Sequence, residues 1–145
     1  KKNYKLTIFG SGSQYEQISK IRSSHIEVNS FVSREKLVYL TREIPYALVS
    51  LSSQITVEGF PGKTFDYLKM NKILIGYSHP ESSLAKFIDK FQLGINIDPN
   101  DQDIDIKLNK LEDDNFLDQI YLNISKMNNH FANVNLIVKQ YMELT

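Results

Sequence analysis

Cysteine is missing from all 145 residues, which excludes disulfides and thiol chemistry and agrees with a reducing cytosol. Neither sign of charge prevails. Seventeen Lys and Arg balance seventeen Asp and Glu, so no global field draws the chain to nucleic acid or to an anionic bilayer. No apolar run approaches the roughly 20 residues needed to span a membrane, and no signal peptide opens the sequence. Internal repeats and low-complexity segments are absent as well. The three histidines, His25, His79 and His130, lack the spacing of a metal-ligand set or a catalytic triad. His79 falls in a strand-end loop and reads first as a surface residue. The acids of "NDQDIDIK" and "LEDDNF" lack the glycine and glutamate of a calcium loop and read as solvated, with Asp113 or Asp114 capping a helix.

What is present is an ordinary globular composition, 41% hydrophobic and 23% charged, in a chain long enough for one compact domain with a sizeable core. Short apolar runs alternate with helical patterns. "YKLTIF" (4–9), "IEVNSF" (26–31), "YALVSL" (46–51), "KILIGY" (72–77) and "LGINI" (93–97) read as five strands. Between them come a helical pattern through Tyr15, Ile18 and Ile21, a helix after Ser33 as N-cap, a helix opened by Pro61, and a helix starting near Ser82 or Ser83. The polar stretch 96–109 reads as one loop, and the remainder as helix with apolar positions such as Phe116, Ile120, Phe131 and Tyr141 for packing. Strands alternating with helices predict an α/β fold: one Rossmann-like, five-stranded parallel sheet with helices on both faces, filling residues 1–145.

In such a sheet ligands gather at the carboxyl ends of the strands, where helix N-termini converge. The turn "FGSGSQ" supplies Gly10 and Gly12, either as the tight turn that the fold needs or as a phosphate-side loop. It is not the dinucleotide fingerprint, which would want glycine where Tyr15 stands. The stretch "VEGFPGKTFDYLKM" carries the sharper signal. Lys63 falls in the first turn of its helix, where the dipole already disfavours a cation. Either Lys63 and Asp66 form a solvated pair, or an anion occupies the helix N-terminus and is met by both Lys63 and backbone N–H groups. Glu58 and Asp66 flank that place and could accept hydrogen bonds from hydroxyls.

Glu58-x7-Asp66, the string Pro61-Gly62-Lys63-x-x-Asp66-Tyr67-Leu68 and the following "NKILIGY" resemble the C-terminal, donor-binding domain of GT-B retaining glycosyltransferases. The branch in question builds bacterial capsule, lipopolysaccharide and exopolysaccharide. The resemblance extends through "LTIFGSGSQYEQI", "IEVNSFVSREKLVYL" and "LGINIDPND", nearly the whole chain. It implies a half of a GT-B enzyme whose N-terminal acceptor domain lies outside these residues, and a fragment inactive by itself. It implies transfer of a hexosyl group from a UDP- or GDP-sugar to a glycan or lipid-linked acceptor without a metal cofactor. It also implies a cytoplasmic site of action, with peripheral association of the full-length enzyme at the inner face of the membrane. On this resemblance Glu58 meets the sugar, Asp66 the ribose, and Gly59, Phe60, Gly62, Lys63 and Thr64 surround the sugar and diphosphate. Phe31, Val32 and Ser33 line the base pocket, and Gly10 and Gly12 the phosphate side. Asp66 is one methylene shorter than the usual Glu, and Pro61 removes a backbone donor. The alternative is a noncatalytic Rossmann- or flavodoxin-like binding or regulatory domain; a response regulator would need an Asp ending the third strand, which instead runs into "SLSSQ".

Overall fold

The β-branched and aliphatic runs all become strands, and the described strands pair with one another in parallel, as expected when each strand is followed by a helical return. The computed structural model describes residues 4–52 and 61–142, with side chains as far as residue 133. The protein is α/β, with parallel strands flanked by helices. The strands form two sheets rather than one, β1-β2 and β3-β4-β5, and the chain divides into two compact units, Lys1–Glu43 and Ile44–Thr145.

In the first unit, β1 (Leu6–Gly10) pairs with β2 (Ile26–Ser30) in the register Leu6↔Ile26 through Gly10↔Ser30. The helical pattern expected to run through Ile21 yields only α1 (Tyr15–Ile18). The Ser19 hydroxyl donates to the Glu16 carbonyl, a local bond that competes with continued helix, and Ile21 is left exposed. The second helix, α2 (Arg34–Thr41), begins where Ser33 predicts, with the Ser33 Oγ accepting from the Lys36 amide at 3.3 Å. No described residue of this unit is fully buried.

The second unit holds the core. Strands β3 (Tyr46–Ser50), β4 (Ile73–Tyr77) and β5 (Gly94–Ile97) place β4 at the centre, and Val49, Ile73, Leu74, Ile95 and Ile97 pack into one cluster with the helices. Each such aliphatic side chain contributes about 1.5–3 kcal/mol by leaving water. The next helix, α3 (Lys63–Lys69), ends in a left-handed Asn71, with the Lys72 amide donating back to the Tyr67 carbonyl at 3.0 Å. After β4, α4 (Ser83–Phe91) buries Leu84, Ala85 and Ile88 and leaves Lys86, Asp89 and Lys90 outside. It closes with Gln92 left-handed and the Leu93 amide on the Ile88 carbonyl.

The stretch 96–109 is more ordered than a loop. It contains α5 (Ile104–Asn109), followed by a 3-10 turn over Lys110–Glu112 that buries Leu111. The long α6 (Asp114–Met142) starts on Asp113, whose Oδ1 accepts from the Asn115 and Phe116 amides. Its Ile120 and Ile124 enter the core, and Phe131 meets Phe65 edge-on at 5.5 Å between ring centres. Asn128 donates to the Leu68 carbonyl at 2.8 Å, tying α6 to the end of α3. Lys72 is almost wholly buried and its ammonium donates to the Ile44 carbonyl at 2.6 Å. No helix among the described residues is long and apolar enough to cross a membrane.

Candidate functional site

The carboxyl end of the β3-β4-β5 sheet brings together the start of α3, the 78–82 loop and the turn after β5. Helix α3 differs from its neighbours in how it begins. Helices α2 and α4 each have a serine N-cap, whereas α3 follows Gly62 and has no side-chain cap. Its first residue is Lys63, exposed and without a hydrogen bond or ion pair among the described residues. In particular no ion pair joins Lys63 to Asp66, so the solvated-pair alternative is not formed. Pro61 stands two residues before the helix rather than at its first position; its carbonyl accepts from the Thr64 amide at 2.9 Å, and the Gly62 carbonyl accepts from Phe65 at 3.1 Å.

Those two bonds restrict what the helix start can offer. The amides of Thr64 and Phe65 are already engaged, which leaves those of Gly62 and Lys63 as the candidates for an outside anion. Thr64, expected among the donor contacts, is fully buried with its Oγ1 enclosed and unpartnered; it is held in the core side of the turn rather than presented to solvent. Asp66 is half-buried one turn on. Its neighbour Tyr67 has its hydroxyl pKa raised, first by burial and then by the charge of Asp66. Glu58, Gly59 and Phe60 lie outside the described residues. The remaining expected residues belong to the first unit. There Gly12 adopts φ +125°, which favours glycine, and the Gly12 carbonyl accepts from Tyr15 at 3.0 Å; this is the tight turn. Ser33 commits its hydroxyl to capping α2, Val32 is half-buried, and Phe31 is 71% exposed.

The 78–82 loop carries a polar cluster that sequence reasoning did not identify. The Ser82 hydroxyl caps Ala85 at 3.1 Å and donates to the Ser78 Oγ at 2.9 Å. Ser78 in turn donates to the Asn96 Oδ1 at 2.8 Å, and the Asn96 side-chain amide returns to the Ser78 carbonyl at 2.9 Å. Both serines are buried. The network locks the exit of β4 to β5, and Gly76 makes room for it, since a Cβ there would stand 2.5 Å from the Asn96 Oδ1. His79 is held over this loop, its Nδ1 accepting from the Glu81 amide at 3.1 Å. That bond assigns the proton to Nε2 in the neutral ring. The only sequence sign of the network is the run "SHPESS" placed directly after a strand.

Acids expected to be solvated are partly engaged. The Asp101 carboxylate accepts from the Lys107 ammonium at 2.6 Å and from the Asp98 amide at 2.8 Å, and these two bonds, in that order, hold its pKa below the ordinary value. Glu81 is lowered likewise by the Lys86 ammonium, 2.8 Å away. No group of His, Asp and Glu among the described residues is arranged to hold a metal ion.

A cavity of about 660 Å³ opens between α4, β5, α5 and the start of α6. Its volume falls in the range of small-ligand sites, with Ile88, Ile95, Phe116 and Ile120 on its walls and Lys86, Lys107 and Lys110 at its polar margin. Among the described residues, none of those expected at the donor site lines it. Compared with protein-family models, curated proteins and solved structures, the chain matches none.

Proposed function

We propose that this chain is the nucleotide-sugar donor-binding half of a GT-B hexosyltransferase that uses a UDP- or GDP-sugar to extend a glycan or lipid-linked acceptor in bacterial surface polysaccharide synthesis. One observation carries the reading: α3 lacks a side-chain cap and presents as its first residue a lysine without a partner among the described residues, at the carboxyl end of a parallel sheet. A cation there opposes the helix dipole unless an anion offsets both. The Lys63 ammonium and the Gly62 and Lys63 amides would meet a diphosphate. Because the nucleoside diphosphate is the leaving group, its charge grows as the glycosidic bond breaks, and a fixed cation at a helix start favours that change. Asp66, one turn on, would accept from ribose hydroxyls, and Glu58 from the sugar.

The test is calorimetric titration of the chain with UDP and with GDP, alongside NAD and acetyl phosphate as controls. The reading expects heat with one of the first two and none with the controls, and loss of that heat in Lys63→Ala. Binding of acetyl phosphate alone would place the chain with regulatory domains instead. Absence of binding to any nucleotide would remove the proposal.

A further inference from the structure

Strand β5 is the last of its sheet among the described residues, and the register determines which of its backbone groups point away from β4. Leu74 donates to the Leu93 carbonyl at 3.0 Å and Ser78 to the Ile97 carbonyl at 3.1 Å. In a parallel ladder, Leu93, Ile95 and Ile97 therefore direct their peptide groups at β4, and Gly94, Asn96 and Asp98 direct theirs outward. An outward row of donors and acceptors is a template for another strand. Two of those groups are occupied by side chains. The Lys107 ammonium donates to the Asn96 carbonyl at 3.1 Å, and the Asp101 Oδ2 accepts from the Asp98 amide at 2.8 Å, while Lys107 and Asp101 are themselves 2.6 Å apart.

In a parallel sheet a single residue of the next strand would donate to the Asn96 carbonyl and accept from the Asp98 amide. The ion pair presents the same donor and the same acceptor to the same two groups. Next along the edge, the Gly94 carbonyl and the Asn96 amide have no protein partner among the described residues, and both residues line the cavity. That remaining slot is self-complementary: an antiparallel pairing of two copies centred on Ile95 would match each Asn96 amide to the Gly94 carbonyl of the other. The same pairing would require the Asn96 carbonyl, the group that Lys107 covers, to accept from the Gly94 amide of the other copy; Asp98 would stand opposite Gln92, beyond the end of β5.

We propose that Asp101 and Lys107 act together as a surrogate residue of a sixth strand, closing the edge of β5 against pairing with the β5 of a second copy of this chain. The essential feature is the match of donor to carbonyl and acceptor to amide, not the attraction between the two charges.

Sedimentation of the 145-residue chain and three variants over a concentration series tests this. The parent should remain monomeric. Lys107→Met should self-associate about tenfold or more tightly than the parent, since it frees the Asn96 carbonyl of each copy, and Asp101→Ala should do so more weakly, since the amide that it frees lies at the end of the paired segment. The exchanged pair Asp101→Lys with Lys107→Asp keeps the opposite charges but reverses donor and acceptor, so it should associate like the single variants. Parent-like behaviour of all three variants overturns the proposal, as does restoration of the monomer by the exchanged pair. A measurement on the parent alone guards against variants that fail to fold. Hydrogen exchange at the Asp98 amide should be slower than at the Asn96 amide; equal or reversed rates overturn the capping geometry.

Discussion

Replacing Lys63 by alanine takes a cation out of the first turn of α3, and the structure indicates both the sign and the scale of the result. Lys63 is exposed and makes no ion pair among the described residues, so no attractive contact is lost. What is removed is repulsion from a helix start that has no side-chain cap, worth about 0.3–1 kcal/mol at low ionic strength. Solvent exposure places the expected stabilisation at the low end, about 0.3 kcal/mol, and salt should erase it. Alanine also replaces lysine at little difference in helix propensity. If the helix start receives a diphosphate, the same substitution removes a charge-assisted hydrogen bond worth about 1.5–3 kcal/mol, which weakens nucleotide binding roughly 10- to 150-fold. Urea unfolding at low and high salt, paired with UDP and GDP titration, separates the two effects. A variant that loses stability and binds nucleotide like the parent would refute the reasoning, because Lys63 would then be engaged in a contact within the protein.

Gly62→Ala should leave stability within a few tenths of a kcal/mol, since φ is −55° and nothing lies within 4 Å of an added Cβ; weakened nucleotide binding with unchanged urea unfolding would agree with close approach of a ligand. Gly94→Ala should be severely destabilising, because φ is +154° and the new Cβ would stand 1.8 Å from the Leu74 carbonyl oxygen; circular dichroism should register loss of the folded state or a drop of more than about 3 kcal/mol. Ser82→Ala should cost about 1–2 kcal/mol in urea unfolding, as it removes the cap of α4 and strands part of the Ser78–Asn96 network. Asp101 has a depressed pKa in the folded chain, so its stabilising contribution is complete above the unfolded-state value of about 3.9 and disappears as pH falls through the folded value. Acid unfolding of Asp101→Asn should accordingly be less steep below about pH 4 than that of the parent, and an identical pH profile would contradict the pairing with Lys107.

Much of the architecture was legible in residue order. Ser33 and Ser82 each stand before an apolar helical pattern and each caps its helix, because a cap is a bond between residues two or three apart. The five apolar runs become five strands within a residue or two of their expected limits, since alternation of strand and helix depends on local periodicity. The lysine at the start of α3 was readable for the same reason. Where local signals were thin the reading shortened or lengthened elements: α1 stops after one turn as Ser19 bonds back to Glu16, and 104–109 becomes helical despite its acids.

Residue order alone conveyed the fold class, the serine helix caps and the place of a cation in the first turn of α3, all of which rest on contacts within one or two turns. Packing across the chain was needed to show that Thr64 is enclosed, that Ser82 meets Ser78 and Ser78 meets Asn96, and that Asp101 and Lys107 bond the outward groups of β5. The first and second depend on which face of each element meets the sheet. The third depends on strand register, because a shift of one residue would turn the Asn96 carbonyl and the Asp98 amide toward β4 and leave the ion pair nothing to cap.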